Sequence, residues 1–418
     1  MSMLQTIIGR VCLRVPKMTP RIAYFAHDLA DPAIHRRARM LLAGGAAVTP
    51  IGFHRTRRPP ETVADIPPVA LGHTMDGMLA KRAASVLSAI VGLRRVAQQV
   101  FSADVIMARN LEMLAIAAQA RRRYAPAARL VYECLDVHNL LVSSNVVGRL
   151  LRSFESTLWR DVDLLLTSSP AFVCNYFAVR RFQAPVKLVE NKLLILDDDR
   201  QPGPVVEQRL VGPPWRIGLF GMIRCRRSLD VLSSLMRSMS GAVEVVIRGR
   251  PSAAVFPDFE RAIAEWPNLH YGGPFDNRTD LPQLYGDVHF TWAVDYYERD
   301  SNSAWLLPNR IYEGPSFGSV PIGLADVETG RWLTQHGIGV VLREPLLHQL
   351  VDFFRRLDSG AYLGLTRAVR ALPRSTFVSG RAECRDLVDA LCRHHRNSAP
   401  TWRCGELDTV ATTGKANS

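Results

Sequence analysis

Short apolar runs of strand type alternate with helical patterns twice over along this chain, and that alternation limits the fold more than any other feature. The first run is Arg21 to Ala26, RIAYFA. A helical pattern follows from Asp31 to Leu42, and Ala47 to Phe53 is a second strand. Asp31 suits the helix cap, Pro32 its first turn, and Gly44 with Gly45 its end. Strand, helix and strand within about thirty residues make a βαβ unit, which implies a parallel sheet and a right-handed crossover. Further strands are expected at Asp104 to Ala108, Leu130 to Glu133, Asp163 to Ser168 and Val186 to Glu190, with helices at Leu111 to Tyr124, Val147 to Arg160 and Pro170 to Val179. This is the pattern of an α/β, doubly wound domain.

From Leu193 to Pro214 the chain turns polar and proline-bearing, as an interdomain linker does. A second alternation then starts with a strand at Trp215 to Phe220, a helix at Ser228 to Met239 and a strand at Val243 to Arg248. It continues through Val288 to Trp292, Val320 to Gly323 and helices at Glu328 to His336 and Leu346 to Leu357. With 418 residues the chain is too long for one ordinary core. The expected organisation is a flexible extension over 1–19, an N-terminal domain over 20–195, a linker over 196–213, a C-terminal domain over 214–380, and a helix with a loose tail over 381–418. Two such halves leave a cleft between them.

A hydrophobic share of 47% with 22% charged residues reads as globular and soluble. The sequence has no apolar run of the roughly eighteen residues that a membrane span needs. Its seven cysteines are scattered and lack CxxC spacing, which argues against a disulfide framework and a zinc site and fits a reducing cytoplasm. The first residues lack the long apolar core and cleavage site of a secretory signal, and Met18 is an alternative start. A net charge of +13 attracts anions: nucleic acid, phosphorylated small molecules or an anionic membrane face. Met78 to Val100 reads as one extra helix with Lys81, Arg82, Arg94 and Arg95 near its ends; it suits either an anionic bilayer surface or an ordinary core-packed position with a solvated basic edge.

Ligands of open α/β sheets bind where strands end and helices begin. In the second domain that place holds GLFGMIRCRRSLD, where Gly218 and Gly221 permit close backbone approach and Arg224, Arg226 and Arg227 crowd a helix start. It is neither a Walker loop nor a GxGxxG fingerprint. Arg248 to Pro251 and Tyr271 to Phe275 close the next two strands, and AVDYYERDSNS forms a polar, aromatic loop whose Asp295 and Glu298 are expected to be solvated. NSAWLLPNRIYEGPSFGSVP then joins a helix, the lone carboxylate Glu313 and a small-residue turn. On the facing domain, HDLADPAIHRR gathers His27, Asp28, Asp31, His35, Arg36 and Arg37, while Arg109, Asn110, Glu133, Asp136 and His138 follow later strands. A carboxylate or imidazole there can take the proton of a bound hydroxyl.

The run Leu307 to Glu313, with Gly318 and Pro321 behind it, resembles the LPNK-type motif and downstream glutamate of bacterial group-one-type GT-B glycosyltransferases. The opening HDLADPAxxRRxxML is similar to that of exopolysaccharide enzymes of the succinoglycan kind, and ECLDVH is loosely similar to a DxHE-like segment of related transferases. The resemblance implies two Rossmann-like domains facing across a cleft. It implies transfer of a hexose, glucose first, from a nucleoside diphosphate sugar to a lipid-linked oligosaccharide at the cytoplasmic face of the inner membrane. Glu313 then grips the donor ribose. Arg224 and Arg227, arginines where relatives carry an Arg and Lys pair, hold the diphosphate. Asn302 and Asn309 orient the sugar, with Gly221, Arg248, Tyr271 and Arg310 in the same donor site. Asp31 is the expected base, beside His27 and Asp28, and Arg36, Arg109, Asp136 and His138 meet the acceptor. No cofactor is expected. No metal is expected either, since Asp197, Asp198 and Asp199 fall in the linker and arginines with a helix dipole replace the ion. A nucleotide-sugar 2-epimerase of the same fold is the enzymatic alternative. A basic nucleic-acid-binding protein is the other, disfavoured because the cations cluster at turns after strands.

Overall fold

The computed structural model describes residues 19–74, 79–196, 211–264, 266, 268–299 and 302–393. Most of the N-terminal extension, most of the linker with its three aspartates, and the tail from 394 lie outside these described residues. The two alternations fold as two lobes, each around a parallel sheet.

The first sheet is built from β1 (Arg21–Ala26), β2 (Ala47–His54), β3 (Val69–His73), β4 (Val105–Arg109), β5 (Arg129–Cys134), β6 (Leu164–Thr167) and β7 (Val186–Leu188), in the order β3-β2-β1-β4-β5-β6-β7. Every residue of β4 and β5 is buried. Helices cover both faces of a parallel sheet, so its central strands read as unbroken apolar runs, and that is why they are legible in the sequence. On one face lies α1 (Pro32–Ala43). The other carries α2 (Leu79–Val91), α3 (Ala97–Phe101), α4 (Asn110–Tyr124) and α6 (Val146–Trp159), the last preceded by the short α5 (Asn139–Val142). Strand order reverses between β1 and β4, which opens a crevice at their carboxyl ends.

The second sheet is built from β9 (Trp215–Ile223), β10 (Val243–Pro251), β11 (Leu269–Tyr271), β12 (Phe290–Trp292), β13 (Val320–Leu324) and β14 (Val340–Leu342), in the order β11-β10-β9-β12-β13-β14. Its switch point lies between β9 and β12. Two strands of two residues tie the lobes: β8 (Leu193–Leu194) pairs in parallel with β15 (Val378–Ser379). The Arg381–Cys392 helix then returns to the first lobe and packs on α1, burying Cys384, Leu387, Val388 and Leu391 beside Ile34, Ala38 and Leu41. Gly44 makes room for this return, since a Cβ there would lie 2.3 Å from the Cys384 carbonyl oxygen.

The single helix expected from Met78 to Val100 is broken instead. It stops at Val91, a 3-10 turn spans Leu93–Val96, and α3 follows. The break lets Ala89, Leu93, Val96 and Val100 all reach the core. Residues 193 and 194, placed in the linker by composition, are strand. No helix among the described residues is long and apolar enough to cross a membrane.

Candidate functional site

The wall on the second lobe begins where β9 runs out. Gly221 has φ +111° and pairs directly with Gly249 of β10. A Cβ on Gly249 would stand 1.7 Å from the Gly221 carbonyl oxygen, so these strands can close on each other here only with glycine. The fourteen-residue Arg226–Met239 helix starts immediately after, its Ser228 N–H donating to Cys225 Sγ at 3.4 Å. Its unpaired N–H groups and dipole favour an anion at this end. Arg224 is held beside it by Asp295 Oδ2 at 3.4 Å and by the Tyr297 ring, 4.7 Å from the guanidinium carbon.

Glu313 lies on the short Arg310–Ser316 helix. That helix sits tight on β12 because Gly314 faces Thr291; a Cβ at 314 would meet Thr291 Oγ1 at 2.4 Å. Glu313 Oε2 accepts from the buried Tyr285 hydroxyl at 2.7 Å. Burial raises its carboxyl, and the Tyr285 bond and the charges of Arg36 and Arg310 oppose the rise. Arg310 Nη1 donates to the Trp292 carbonyl at 3.0 Å. Asn309 stands at the start of this helix, yet its side chain caps nothing. Asn302 is 4% exposed and its Oδ1 is buried without a hydrogen-bond partner. Such an orphan costs stability unless a ligand answers it.

Gly221, Arg224, Asn302, Asn309, Arg310 and Glu313 line one cavity of 360 Å³, and its opposite wall is made of Leu135, Asp136, Ser168 and Asn191 from the first lobe. It lies at the switch point of the second sheet and within the size range of small-molecule sites. Asp136 opens onto the cleft. The walls nonetheless crowd water away and raise its carboxyl, Glu298 adds like-charge repulsion, and Arg224, His138 and Arg109 offset part of the rise.

Several expected site residues are elsewhere. Asp31 Oδ1 accepts from Ala33 N at 2.8 Å as the cap of α1, and its other oxygen is 3.5 Å from His27 Nε2. Asp28 accepts from Ala30 N and lies 3.7 Å from Arg55. None of these three lines the cavity, so the first-lobe carboxylate that does so is Asp136, after β5, rather than Asp31. Burial and then Arg109 lower the His27 imidazole below its usual range, with Asp31 opposing them. Arg36 braces the crossing between lobes, donating to Asn191 Oδ1 at 2.6 Å and to its carbonyl at 3.1 Å. Arg109 sits under the cleft, 3.8 Å from Glu133, whose carboxylate also accepts from Arg37 and the Tyr24 hydroxyl, both at 2.6 Å. His138 caps α5 through Leu140 N.

On the second lobe, Arg227 donates to Glu344 at 2.8 Å and stacks on Tyr296, turned into a neighbouring open basin. Arg248 braces the turn by donating to the Gly273 and Pro274 carbonyls, and Tyr271 donates to the Gly249 carbonyl at 3.1 Å. None of these three lines the cavity. Conversely Asp295, expected to be merely solvated, lines the cavity and holds Arg224. Ser168 and Asn191 carried no sequence signal beyond their place after β6 and β7. Among the described residues no group of three or more His, Cys, Asp or Glu is placed to hold a metal ion.

No family model matches the sequence. The chain is 42% identical over 374 residues to the succinoglycan biosynthesis protein ExoL of Rhizobium meliloti strain 1021, an alignment covering 89% of this chain and 93% of that protein. Among solved structures, HepE of Anabaena in complex with UDP and glucose superposes with a TM-score of 0.62 at 14% identity, over 89% of this chain and 98% of its own. WaaG, a glycosyltransferase involved in lipopolysaccharide biosynthesis, gives 0.57 at 12% identity, over 88% and 99%. At such identities the likeness to the two structures is one of fold.

Proposed function

We propose that this chain, which belongs to the family of the succinoglycan biosynthesis protein ExoL and shares the fold of GT-B glycosyltransferases, is a glycosyltransferase that passes a hexose from a nucleoside diphosphate sugar to a lipid-linked oligosaccharide at the cytoplasmic membrane face. The observation that carries this assignment is the cavity itself: anion-binding groups and Glu313 on one lobe, a raised carboxyl on the other.

In this assignment Glu313 accepts from the ribose hydroxyls through the oxygen that Tyr285 leaves free. The diphosphate lies at the start of the Arg226–Met239 helix against Arg224 and Arg310. Those charges stabilise the leaving group as the bond from the anomeric carbon to the phosphate oxygen breaks, without a metal ion. Asn302 and Asn309 take sugar hydroxyls, which satisfies the orphan Asn302 carbonyl. The acceptor enters from the first lobe, its oxygen bonds to the anomeric carbon, and Asp136 receives the hydroxyl proton. If the anomeric configuration is kept, Asp136 orients the acceptor and the departing phosphate takes the proton.

A donor panel starting with UDP-glucose, with membrane extract as acceptor, tests the assignment. Glu313→Ala is expected to weaken donor affinity by roughly 10- to 100-fold, the scale of a lost charge-assisted hydrogen bond. Transfer and donor affinity unchanged in that variant would remove the site assignment. An epimer formed from donor alone, with no lipid product, would favour the 2-epimerase instead.

A further inference from the structure

Helix α6 faces the wrong way for a helix packed on a sheet. Its single acid, Glu155, is fully buried and accepts from the hydroxyls of Tyr132 and Tyr176 and from Arg180. Meanwhile Val146, Val147, Leu150 and Phe154 are exposed at 60%, 48%, 65% and 48%. Val146, Leu150 and Phe154 follow each other at four-residue steps and Val147 flanks them, so all four run along one outward stripe. Packed helices normally turn such a stripe to the core. Here Gly148, Leu158 and Trp159 already fill the inner face, and the outer stripe is surplus to folding.

A second apolar ridge lies on the same side of the sheet. Leu87 and Val91 of α2 are 64% and 82% exposed, and Phe101 at the end of α3 is 78% exposed. Helices α2, α3 and α6 all pack on α4, which places the two ridges on either side of it, roughly 20 Å apart at ordinary interhelical spacing. The charge of this face is mostly of one sign, its acids Glu112 of α4 and Asp161 after α6 being paired with Arg82 and Arg122. Residues 79–103 contain no acid, and in residues 139–160 the only one is the buried Glu155. Lys81, Arg94, Arg95, Arg149 and Arg160 are all exposed in those stretches. The face also adjoins the cleft: Asn139, just before α6, donates to Glu298 of the second lobe at 2.8 Å.

We propose that α6 and α2 together form a docking face for an anionic lipid bilayer, with the valines, Leu150 and Phe154 in the acyl boundary and the exposed cations on the headgroups. A rim on which exposed cations outnumber the acids, and those acids are already paired, favours this occupant over a protein partner, whose interface rim carries mixed polar groups. The proposal rests on the lipid-borne acceptor assigned above and adds where the membrane sits, which sets the cleft mouth at the surface the acceptor is anchored in.

The test is flotation of the full chain with vesicles of phosphatidylcholine alone and of phosphatidylcholine mixed with phosphatidylglycerol, comparing the native protein with Leu150→Ser/Phe154→Ser and Leu87→Ser/Val91→Ser. The native chain is expected to float with the anionic vesicles only, and the α6 pair to lower its partition by about tenfold or more, with UDP affinity unchanged. The α2 pair is expected to lower it less. Native protein that ignores anionic vesicles overturns the proposal, and so does an α6 variant that binds them as the native chain does. A change in mass by light scattering in the α6 variant overturns it in favour of contact between copies. Transfer to membrane extract is scored separately, so a failed docking face and a failed acceptor assignment give different results.

Discussion

At the residue scale the site turns on which carboxylates are free and which are spoken for. Asp136 and Glu133 are near in sequence and opposite in state. Glu133 is fully buried; burial alone would raise its carboxyl, but Arg37 and Arg109 outweigh it and hold the group below the usual range. A depressed folded-state value contributes stability above the unfolded value near 4.3, and that stability is lost as pH falls through the folded one. Glu133→Gln is therefore expected to cost about 3–5 kcal/mol at neutral pH, because it leaves Arg37 buried without its counter-charge, and the loss is read by denaturant unfolding. Asp136 is raised, by burial and then by Glu298. The acid limb of kcat/KM should accordingly fall at a pH above the ordinary aspartate value, since the base works only when ionised. Glu298→Gln removes the like charge and should move that limb down, while Asp136→Asn should abolish it with a loss on the order of 100-fold or more. A limb that stays put in Glu298→Gln would falsify the electrostatic account of Asp136.

The elements that could be read from sequence are those whose local chemistry agrees with their place in the fold. Buried central strands such as RIAYFA and LVYEC announce themselves because both faces are covered. The edge strand β3 does not: Pro67 and Pro68 precede it, Gly72 interrupts it, and no residue in it is fully buried. The two-residue pair β8 and β15 is too short to carry any period. At the site, Gly221, Arg224, Asn302, Asn309, Arg310 and Glu313, grouped by the resemblance and by their places at strand ends and helix starts, line one cavity. Sequence misplaced Arg227, Arg248 and Tyr271 because a long side chain chooses its direction from partners, here Glu344 and backbone carbonyls, that only the fold brings near. Asp31 was a cap after all, the commonest reason for an aspartate there. The β9–β10 turn offers a sharp check on the elements. Gly249→Ala puts a Cβ against the Gly221 carbonyl at a backbone angle of φ +144° that side chains avoid. It should destabilise the second lobe by roughly 3 kcal/mol or more and weaken UDP binding, measured as a lower unfolding midpoint and a smaller UDP-induced shift. An unchanged midpoint would mean that the two strands can part here without cost.

Across the whole molecule the lobes meet through a small set of polar ties as well as the cavity. Glu190, just beyond β7, accepts from the Tyr312 hydroxyl at 3.2 Å and from Trp332 Nε1 at 3.0 Å, both on the second lobe. Tyr312 belongs to the same short helix as Glu313, so this one carboxylate links the first lobe to the element that carries a carboxylate of the cavity. Ser169 donates to the Trp305 carbonyl and Asn139 to Glu298, two further ties between the lobes. Under the proposed assignment the donor contacts lie almost wholly on the second lobe, whereas Asp136 comes from the first, so transfer would need the lobes in register and donor binding would not. Glu190→Ala leaves two buried donors unsatisfied, at about 1–3 kcal/mol each, and loosens that register. It should lower kcat severalfold to tenfold while calorimetry shows UDP affinity nearly unchanged, and Glu190→Gln, which keeps the acceptor oxygen, should recover most of the loss. Equal losses in affinity and turnover would instead make Glu190 a prop for the donor wall, and the two-lobe division of labour would not hold.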